Sequence, residues 1–182
     1  GVGNTTAFRE KLDSLELVKV NYDSIGIVQL DINNLKVVND TLGHSIGDDL
    51  IRVGARVIKE SFGTIGEVYR IGGDEFAVIV TCDHAPKRCD EAAAKFEAIL
   101  EEYNSNPKAR FKLQIAYGIA FYKHDYSGSD LFLREIQKQA DVLMYNNKRE
   151  IKLREKRKND LEEELAKTGK KVDDDHEVIV MD

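Results

Sequence analysis

A pair of adjacent glycines between two short apolar runs constrains the fold of this chain more than any other feature. Gly72 and Gly73 separate residues 68–71 from residues 77–80, and both runs have the length and composition of β-strands. Because glycine readily adopts positive φ, this pattern predicts a tight β-hairpin. Asp74 and Glu75 follow directly. The hairpin therefore presents two carboxylates beside exposed backbone, as a metal–phosphate site requires, although solvated acids on an ordinary turn fit the same pattern.

A second segment supplies another carboxylate. The apolar run 25–30 ends at Asp31, and a short helix is predicted to start soon afterwards, at residue 34. An acid at the carboxyl end of a buried strand, just before a helix, is a common geometry of ligand sites in α/β proteins. Asp31 therefore joins Asp74 and Glu75 as a candidate functional acid.

The order of the predicted elements brings these acids together. Strands are expected over 24–31, 67–71, 74–81 and 110–122, and helices over 4–20, 34–40, 46–61, 88–104 and 129–149. After the first helix the order is β-α-α-β-β-α-β-α, which indicates an α+β fold with a ferredoxin-like, split βαβ antiparallel sheet flanked by helices. The third strand then lies between the first two, so Asp31 comes beside Asp74. Alternation sends Asp74 and Glu75 to different faces, so the two acids are expected to have different roles.

The charge balance excludes one class of function. With 27 basic and 33 acidic residues, the net charge of −6 argues against a nucleic-acid binder. A bound polyphosphate must then be neutralised by local cations and metal.

No apolar stretch approaches the roughly 20 residues that span a bilayer. Cys82 and Cys89 lack a metal-like spacing, so reduced thiols in a cytoplasmic protein are expected.

Four segments together resemble the GGDEF domains, the catalytic domains of diguanylate cyclases. They read GVGNTTAF at 1–8, DINNLKVVNDTLGHSIGD at 31–48, RIGGDEF at 70–76 and ADVLMYNNK at 140–148. The resemblance covers residues 1–150, and the highly charged residues 151–182 are expected to form a helical extension or a linker. Because the chain begins inside a motif, we expect a parent protein with an upstream sensor domain, which can be membrane-anchored.

The resemblance implies a reaction and a metal site. Two molecules of GTP would be condensed into cyclic di-GMP across a homodimer, with a nucleotide-cyclase-type sheet as the scaffold. The family binds a divalent cation, Mg²⁺ or Mn²⁺. The residues that match its ligands in this chain are Asp31, Ile32 through its backbone carbonyl, and Asp74. Glu75 corresponds to the residue that assists deprotonation of the attacking hydroxyl.

The resemblance also implies how the nucleotide is held. Lys36, Lys148 and Lys152 match positions that contact phosphate, although Lys152 stands where relatives often carry Arg. Asn39 and Asp48 match the residues that read guanine. Their chemistry suits the base, because guanine offers N–H donors to a carboxylate and an amide both donates and accepts.

Two departures from the family pattern carry expectations. Asn33 stands where many relatives have a second Asp, and we expect the change to be tolerated. Residues 63–66 occupy the window of the family's inhibitory R-x-x-D product site but read Gly-Thr-Ile-Gly, so no feedback inhibition through that site is expected.

Two other functions fit the same sequence. One is a catalytically inactive, GTP-sensing GGDEF module that regulates an attached domain, although such modules usually have a degraded turn motif. The other is a cyclase that makes a mixed guanine–adenine product, against which the carboxylate of Asp48 argues. The intact turn and Asp31 favour the diguanylate cyclase.

Overall fold

One antiparallel sheet forms the centre of the fold. The structure, a computed structural model, describes residues 2–124, 131–168, 171–172 and 178–179, in two units, Gly1–Asn147 and Lys148–Asp182. The sheet belongs to the first unit and has the order β2-β3-β1-β4. Its strands are β1 (Ser24–Ile32), β2 (Glu67–Arg70), β3 (Glu75–Val80) and β4 (Ile115–Lys123). Since β3 lies between β2 and β1 and runs antiparallel to both, the predicted α+β fold and strand order are confirmed.

Helices pack on both faces of this sheet. They are α1 (Thr5–Glu16), α2 (Leu35–Leu42), α3 (His44–Phe62), α4 (Ala85–Ser105) and α5 (Leu133–Thr168), with a short 3₁₀ turn at Lys19–Asn21. Asn4 caps α1, and its side chain accepts a hydrogen bond from the Ala7 N–H at 2.9 Å. Pro86 lies in the first turn of α4, where its missing N–H costs nothing, so that helix begins three residues earlier than predicted.

The central strand is apolar because both of its faces are covered. Val28, Leu30 and Ile32 belong to one hydrophobic cluster with residues of α3 and α4. Ile25 and Ile27 belong to another cluster with residues of α1 and α5. Successive side chains of a strand point to opposite faces, so even-numbered positions of β1 face α3 and α4, and odd-numbered positions face α1 and α5.

The last strand and the last helix differ from their predictions. Residues 110–114 precede β4 rather than belonging to it, because the Asn104 side chain pairs with both the N–H and the carbonyl of Leu113, at 2.8 and 2.9 Å. Phe132, just before α5, and Leu143 fit the helical period of an inward face, but they are 63% and 47% exposed. In the part of α5 that belongs to the first unit, the buried side chains are those of Leu133, Ile136, Ala140 and Met144. The predicted helix start, residue 129, lies outside the described residues.

The second unit is a charged helical segment. Within it α5 runs as far as Thr168, and its exposed face carries ion pairs one turn apart, such as Glu150–Arg154 at 3.8 Å. Lys171–Val172 and Val178–Ile179 form a two-stranded antiparallel ladder. The other residues of the expected extension, 169–170, 173–177 and 180–182, lie outside the described residues. In the part of the chain that is described, no helix has the length and hydropathy needed to cross a membrane.

Candidate active site

Asp31 and Glu75 face each other across the sheet. Asp31 is the penultimate residue of β1, is only 7% exposed, and pairs in register with Glu75 of β3 and Ala116 of β4. Directly opposed residues of antiparallel strands have Cβ atoms about 4.5–5.5 Å apart and project to the same face. The two carboxylates therefore start as neighbours on the face that also carries α1 and α5.

Asp74 lies beside the end of β1 as well, but on a different side. The N–H of Ile32 donates to the carbonyl of Asp74 at 2.9 Å, which extends the β1–β3 ladder by one pair. Alternation then sends the Asp74 side chain away from the face of Asp31 and Glu75. The structure thus places both hairpin acids at the end of β1, with Glu75 as the direct neighbour of Asp31.

The hairpin tip differs from the tight turn that the glycines predicted. Residues 71–74 link β2 to the antiparallel β3, so the predicted hairpin is confirmed, but neither glycine adopts the left-handed conformation. The N–H groups of Ile71 and Gly72 converge on the carbonyl of Glu75, at 2.9 and 3.3 Å. A Cβ at Gly72 would overlap the Glu75 carboxylate. A larger residue at position 72 would therefore displace the exposed Glu75 carboxylate.

The end of β1 continues into the start of a helix that can receive phosphate. Asn34 adopts a left-handed conformation with φ of 65°, and its amide is directed toward Gln114 Oε1, 3.1 Å away, rather than toward the first turn of α2. N–H groups in the first turn of a helix have no intrahelical partner and carry a partial positive charge. The exposed Lys36 adds a cation in the same turn.

Asn39 and Asp48 come together where α2 meets α3. The two helices are joined at Gly43, which has a φ of 89°. The Asn39 side chain lies so close to Gly47 that a Cβ there would overlap its oxygen. Asp48 follows Gly47 and is exposed. Both predicted guanine-reading residues therefore lie at the α2–α3 junction, and a larger residue at position 47 would displace the Asn39 side chain.

Lys148 and Lys152 remain predictions. They stand four residues apart on α5, one helical turn, in the second unit of the chain. Their helical spacing puts both ammonium groups on one side of that helix.

A cavity beside Glu75 contains residues that the sequence analysis missed. It has a volume of about 410 Å³, and its wall includes Gln29, Glu75, Arg134, Lys138 and Asp141. Gln29 is 4% exposed and lies two positions before Asp31, on the same face of β1. A glutamine inside an otherwise apolar strand was the available signal. Arg134 and Lys138 are spaced i, i+4, as on many exposed helix faces, so the sequence alone does not place them near Glu75.

The residues at the end of β1 fit a hard divalent cation. Among the residues that the structure describes, no three His, Cys, Asp or Glu side chains gather into a metal-binding group. Mg²⁺ does not need such a group, because proteins usually bind it through one or two carboxylates together with substrate phosphates and water. Asp31 and its neighbour Glu75 supply two carboxylates, and the carbonyl of Ile32 adds an oxygen.

Named relatives come from bacterial signalling proteins. The signaling protein YkoW of Bacillus subtilis is 33% identical over 133 residues, which are 69% of this chain and 15% of that protein. The diguanylate cyclase DgcS of Shewanella oneidensis is 28% identical, over 81% of this chain and 47% of that protein. The cyclic di-GMP phosphodiesterase PdeB of the same species is 29% identical, over 78% and 16%. The chain thus spans less than half the length of these relatives.

Solved structures show the same fold. The active GGEEF domain of a diguanylate cyclase from Vibrio cholerae aligns with a TM-score of 0.64 at 19% identity, over 82% of this chain and 93% of that one. The coiled coil and GGDEF domain of DgcB from Caulobacter crescentus, in complex with c-di-GMP, aligns with a TM-score of 0.60 at 25% identity, over 81% and 77%. The sequence model described as "Diguanylate cyclase, GGDEF domain" matches residues 1–154, most of the chain. Since fold, motif order and family match agree, this chain belongs to the GGDEF domain family.

Proposed function

We propose that this chain is an active diguanylate cyclase domain, which condenses two molecules of GTP into cyclic di-GMP and releases pyrophosphate. The observation that carries the proposal is the buried Asp31 carboxylate opposite Glu75, at the end of a strand that also meets Asp74. Carboxylates at the end of a buried strand are the oxygen ligands that a hard divalent cation takes up together with substrate phosphates.

The reaction needs positioning and charge neutralisation more than covalent catalysis. In each of two steps, a ribose 3′-oxygen forms a bond to the α-phosphorus of the other GTP, the bond from that phosphorus to the bridging oxygen breaks, and pyrophosphate leaves. The hydroxyl proton passes to a base. Glu75 is the proposed acceptor, since it lies at the open hairpin tip and is exposed.

Asp31, the Ile32 carbonyl and Asp74 are the proposed ligands of Mg²⁺ or Mn²⁺. When bound, such a cation lowers the pKa of the attacking hydroxyl and neutralises charge on the departing pyrophosphate. The register adds Glu75 to this set, because it shares a face with Asp31 whereas Asp74 does not. Glu75 is thus close enough to Asp31 to serve as ligand, as base, or as both in turn.

The nucleotide is proposed to lie over α2. The first turn of α2, with Lys36, would hold the β- and γ-phosphates, and Lys148 and Lys152 would supply further positive charge. Asn39 and Asp48 would bind the guanine edge at the α2–α3 junction. Each domain then holds one GTP, so turnover requires two copies whose sites face each other, and a homodimer is the expected active form.

The direct test is synthesis of cyclic di-GMP. The chain, fused at its N-terminus to a dimerising coiled coil, is incubated with GTP and Mg²⁺, and cyclic di-GMP and pyrophosphate are quantified. We expect turnover in the wild type and a fall of about 1,000-fold or more in Asp31→Asn, because the main anionic ligand becomes neutral. Asp23→Asn, just before the other end of β1, is the matched control and should retain activity.

Three outcomes of the assay would change the assignment. GTP binding without turnover in the forced dimer would indicate the GTP-sensing module. Incorporation of ATP into a mixed product would indicate altered base choice. Equal activity of Asp31→Asn and the wild type would remove Asp31 from the site and with it the proposed chemistry.

A further inference from the structure

Asn33 is a buried side chain whose polar atoms lack partners. It is 3% exposed, and within the described part of the chain neither its Nδ2 nor its Oδ1 has a hydrogen-bond partner. Buried polar side-chain atoms in folded proteins are nearly always hydrogen-bonded, so two unpaired atoms on one amide call for an explanation such as a bound ligand, ion or water.

Backbone pairing fixes the direction in which this amide points. The N–H of Asn33 donates to the carbonyl of Gln114 at 2.8 Å, so the β1–β4 ladder continues past the last strand residue, Ile32. Side chains two positions apart on a strand leave it on the same side. The Asn33 amide therefore projects from the same side as the Asp31 carboxylate, immediately before α2 begins.

The chemistry at this position suits a bound anion together with a cation. Asp31 offers anionic oxygens, whereas the first turn of α2, beginning at Leu35, offers N–H groups. An amide between them can serve both partners, because its Nδ2 donates two hydrogen bonds and its Oδ1 accepts. An aspartate there would supply oxygen but no donor.

We propose that Asn33 contacts the bound nucleotide directly, its Nδ2 donating to a polyphosphate oxygen while its Oδ1 faces the divalent cation. This deepens the proposed function and rests on its nucleotide-binding part, not on turnover. Asn33 is then a substrate-binding residue that is held unsatisfied until the ligand arrives. A desolvated amide without hydrogen-bond partners lowers the stability of the protein, and a ligand that pairs with it restores that stability.

The proposal predicts opposite effects on stability and on affinity from one substitution. Asn33→Leu keeps the branching and the number of side-chain heavy atoms and removes the unpaired polar atoms, so the melting temperature without ligand should rise by about 2–6 °C. The affinity for Mg²⁺ with the non-hydrolysable α,β-methylene analogue of GTP should fall about 10- to 100-fold, since a hydrogen bond to a charged group is lost. Calorimetric titration and thermal unfolding of the full chain measure the two quantities.

Asn104→Leu is the matched control. The Asn104 amide is fully used, donating to the Leu113 carbonyl at 2.9 Å and accepting from its N–H at 2.8 Å. Its substitution should lower the melting temperature and leave the affinity for the analogue within twofold of the wild type. Asn33→Ala carries the binding test if the larger apolar side chain does not fold.

The substitution Asn33→Asp gives a further test of the same proposal. It buries a second carboxylate near Asp31, so the protein without ligand should melt lower than the wild type, and Mg²⁺ with the analogue should raise its melting temperature by more. The proposal is overturned if Asn33→Leu or Asn33→Ala binds the analogue as tightly as the wild type, or if Asn33→Leu loses stability as Asn104→Leu does. A wild type that binds but makes no product overturns only the cyclase assignment. One that binds no analogue overturns both.

Discussion

The two ends of the central strand treat buried polar groups in opposite ways. Near the start of β1, Lys19 is 7% exposed, yet its Nζ donates to the Leu131 carbonyl at 2.6 Å and pairs with Glu16 at 2.6 Å. It also lies 5.2 Å from the centre of the Tyr122 ring. The other carboxylate oxygen of Glu16 accepts the Leu133 N–H at 2.7 Å, at the start of α5. Charge here is buried and fully paired.

Just past the far end of the same strand, a buried amide lacks partners. Both polar atoms of the Asn33 side chain are unpaired among the described residues. Paired buried groups fix a structure, whereas unpaired ones favour a ligand that satisfies them. The comparison indicates that the fold is stabilised at one end of β1 and prepared for binding at the other.

The largest expected effect distinguishes the roles of the two hairpin acids at the end of β1. Asp74→Asn and Glu75→Gln should each lower turnover, and Glu75→Gln should raise the Mg²⁺ concentration needed for half-maximal rate more, because Glu75 shares a face with Asp31. We expect a loss of about 100- to 1,000-fold at saturating Mg²⁺ for Glu75→Gln, which is about 3–4 kcal/mol of barrier. Initial rates of pyrophosphate release across a cation titration measure both quantities.

The same titration can contradict the register argument. If Asp74→Asn shows the larger increase in cation requirement, the cation is held by the pair that the sequence suggested, Asp31 with Asp74, and Glu75 acts mainly as a base. Glu67→Gln, an exposed acid at the start of β2, is the control and should leave the cation requirement unchanged.

The next effect tests the Lys19–Glu16 pair near the start of β1. Lys19→Met keeps the length of the side chain but removes its charge, leaving the Glu16 carboxylate and the Leu131 carbonyl without it. Because Glu16 is still 25% exposed, we expect a loss of about 2–3 kcal/mol in unfolding free energy, less than for a fully buried pair. Urea denaturation followed by circular dichroism measures this loss.

A matched substitution on the surface makes this test specific. Lys11 also pairs with an acid, Glu67 at 2.5 Å, but the two side chains are 34% and 58% exposed. Lys11→Met should therefore cost less than about 1 kcal/mol, as exposed pairs do. Equal losses from the two methionine substitutions would show that burial does not distinguish the Lys19 pair, and the contrast between the ends of β1 would fail.

Most of the scaffold could be predicted from the sequence because its signals are local. The apolar run before Asp31 and the two runs around the glycines fixed three strands, and the order of elements gave the sheet topology. The phase of α5 could not be fixed, since apolar residues are adjacent at Phe132–Leu133 and again at Leu143–Met144. Either member of each pair satisfies the helical period, and only packing on the sheet selects the buried one.

The candidate site was predicted as a set of residues but not in its pairing. That Asp31 would meet the hairpin followed from topology, whereas its opposition to Glu75 depends on the strand register. The unpaired state of Asn33 had no sequence signal at all. Burial of a polar side chain without partners is a property of the assembled tertiary structure, so an asparagine that differs from the family pattern looks like an ordinary tolerated change.

The smallest predicted effect tests whether polar groups at the Asn33 end of β1 also lack partners on the opposite face of the sheet. Tyr117 pairs in register with Leu30, next to Asp31, and its hydroxyl donates to Glu97 at 2.6 Å. Burial, followed by this hydrogen bond to a carboxylate, raises the pKa of Tyr117 above its ordinary value of 10.0. Here, on the face of α3 and α4, a polar group is paired, in contrast to Asn33.

The raised pKa gives a measurable dependence on pH. The unfolded chain loses the Tyr117 proton at lower pH than the folded one, so this stabilisation is complete below pH 10 and decreases as the pH rises from 10 toward the pKa of the folded state. Tyr117→Phe should lower stability at pH 8 but flatten the loss between pH 9.5 and 11, relative to the wild type. Urea midpoints across that range test this. Parallel curves of urea midpoint against pH for the two proteins would mean that folding does not favour the protonated Tyr117 hydroxyl. Polar groups at this end of β1 would then lack partners on both faces of the sheet.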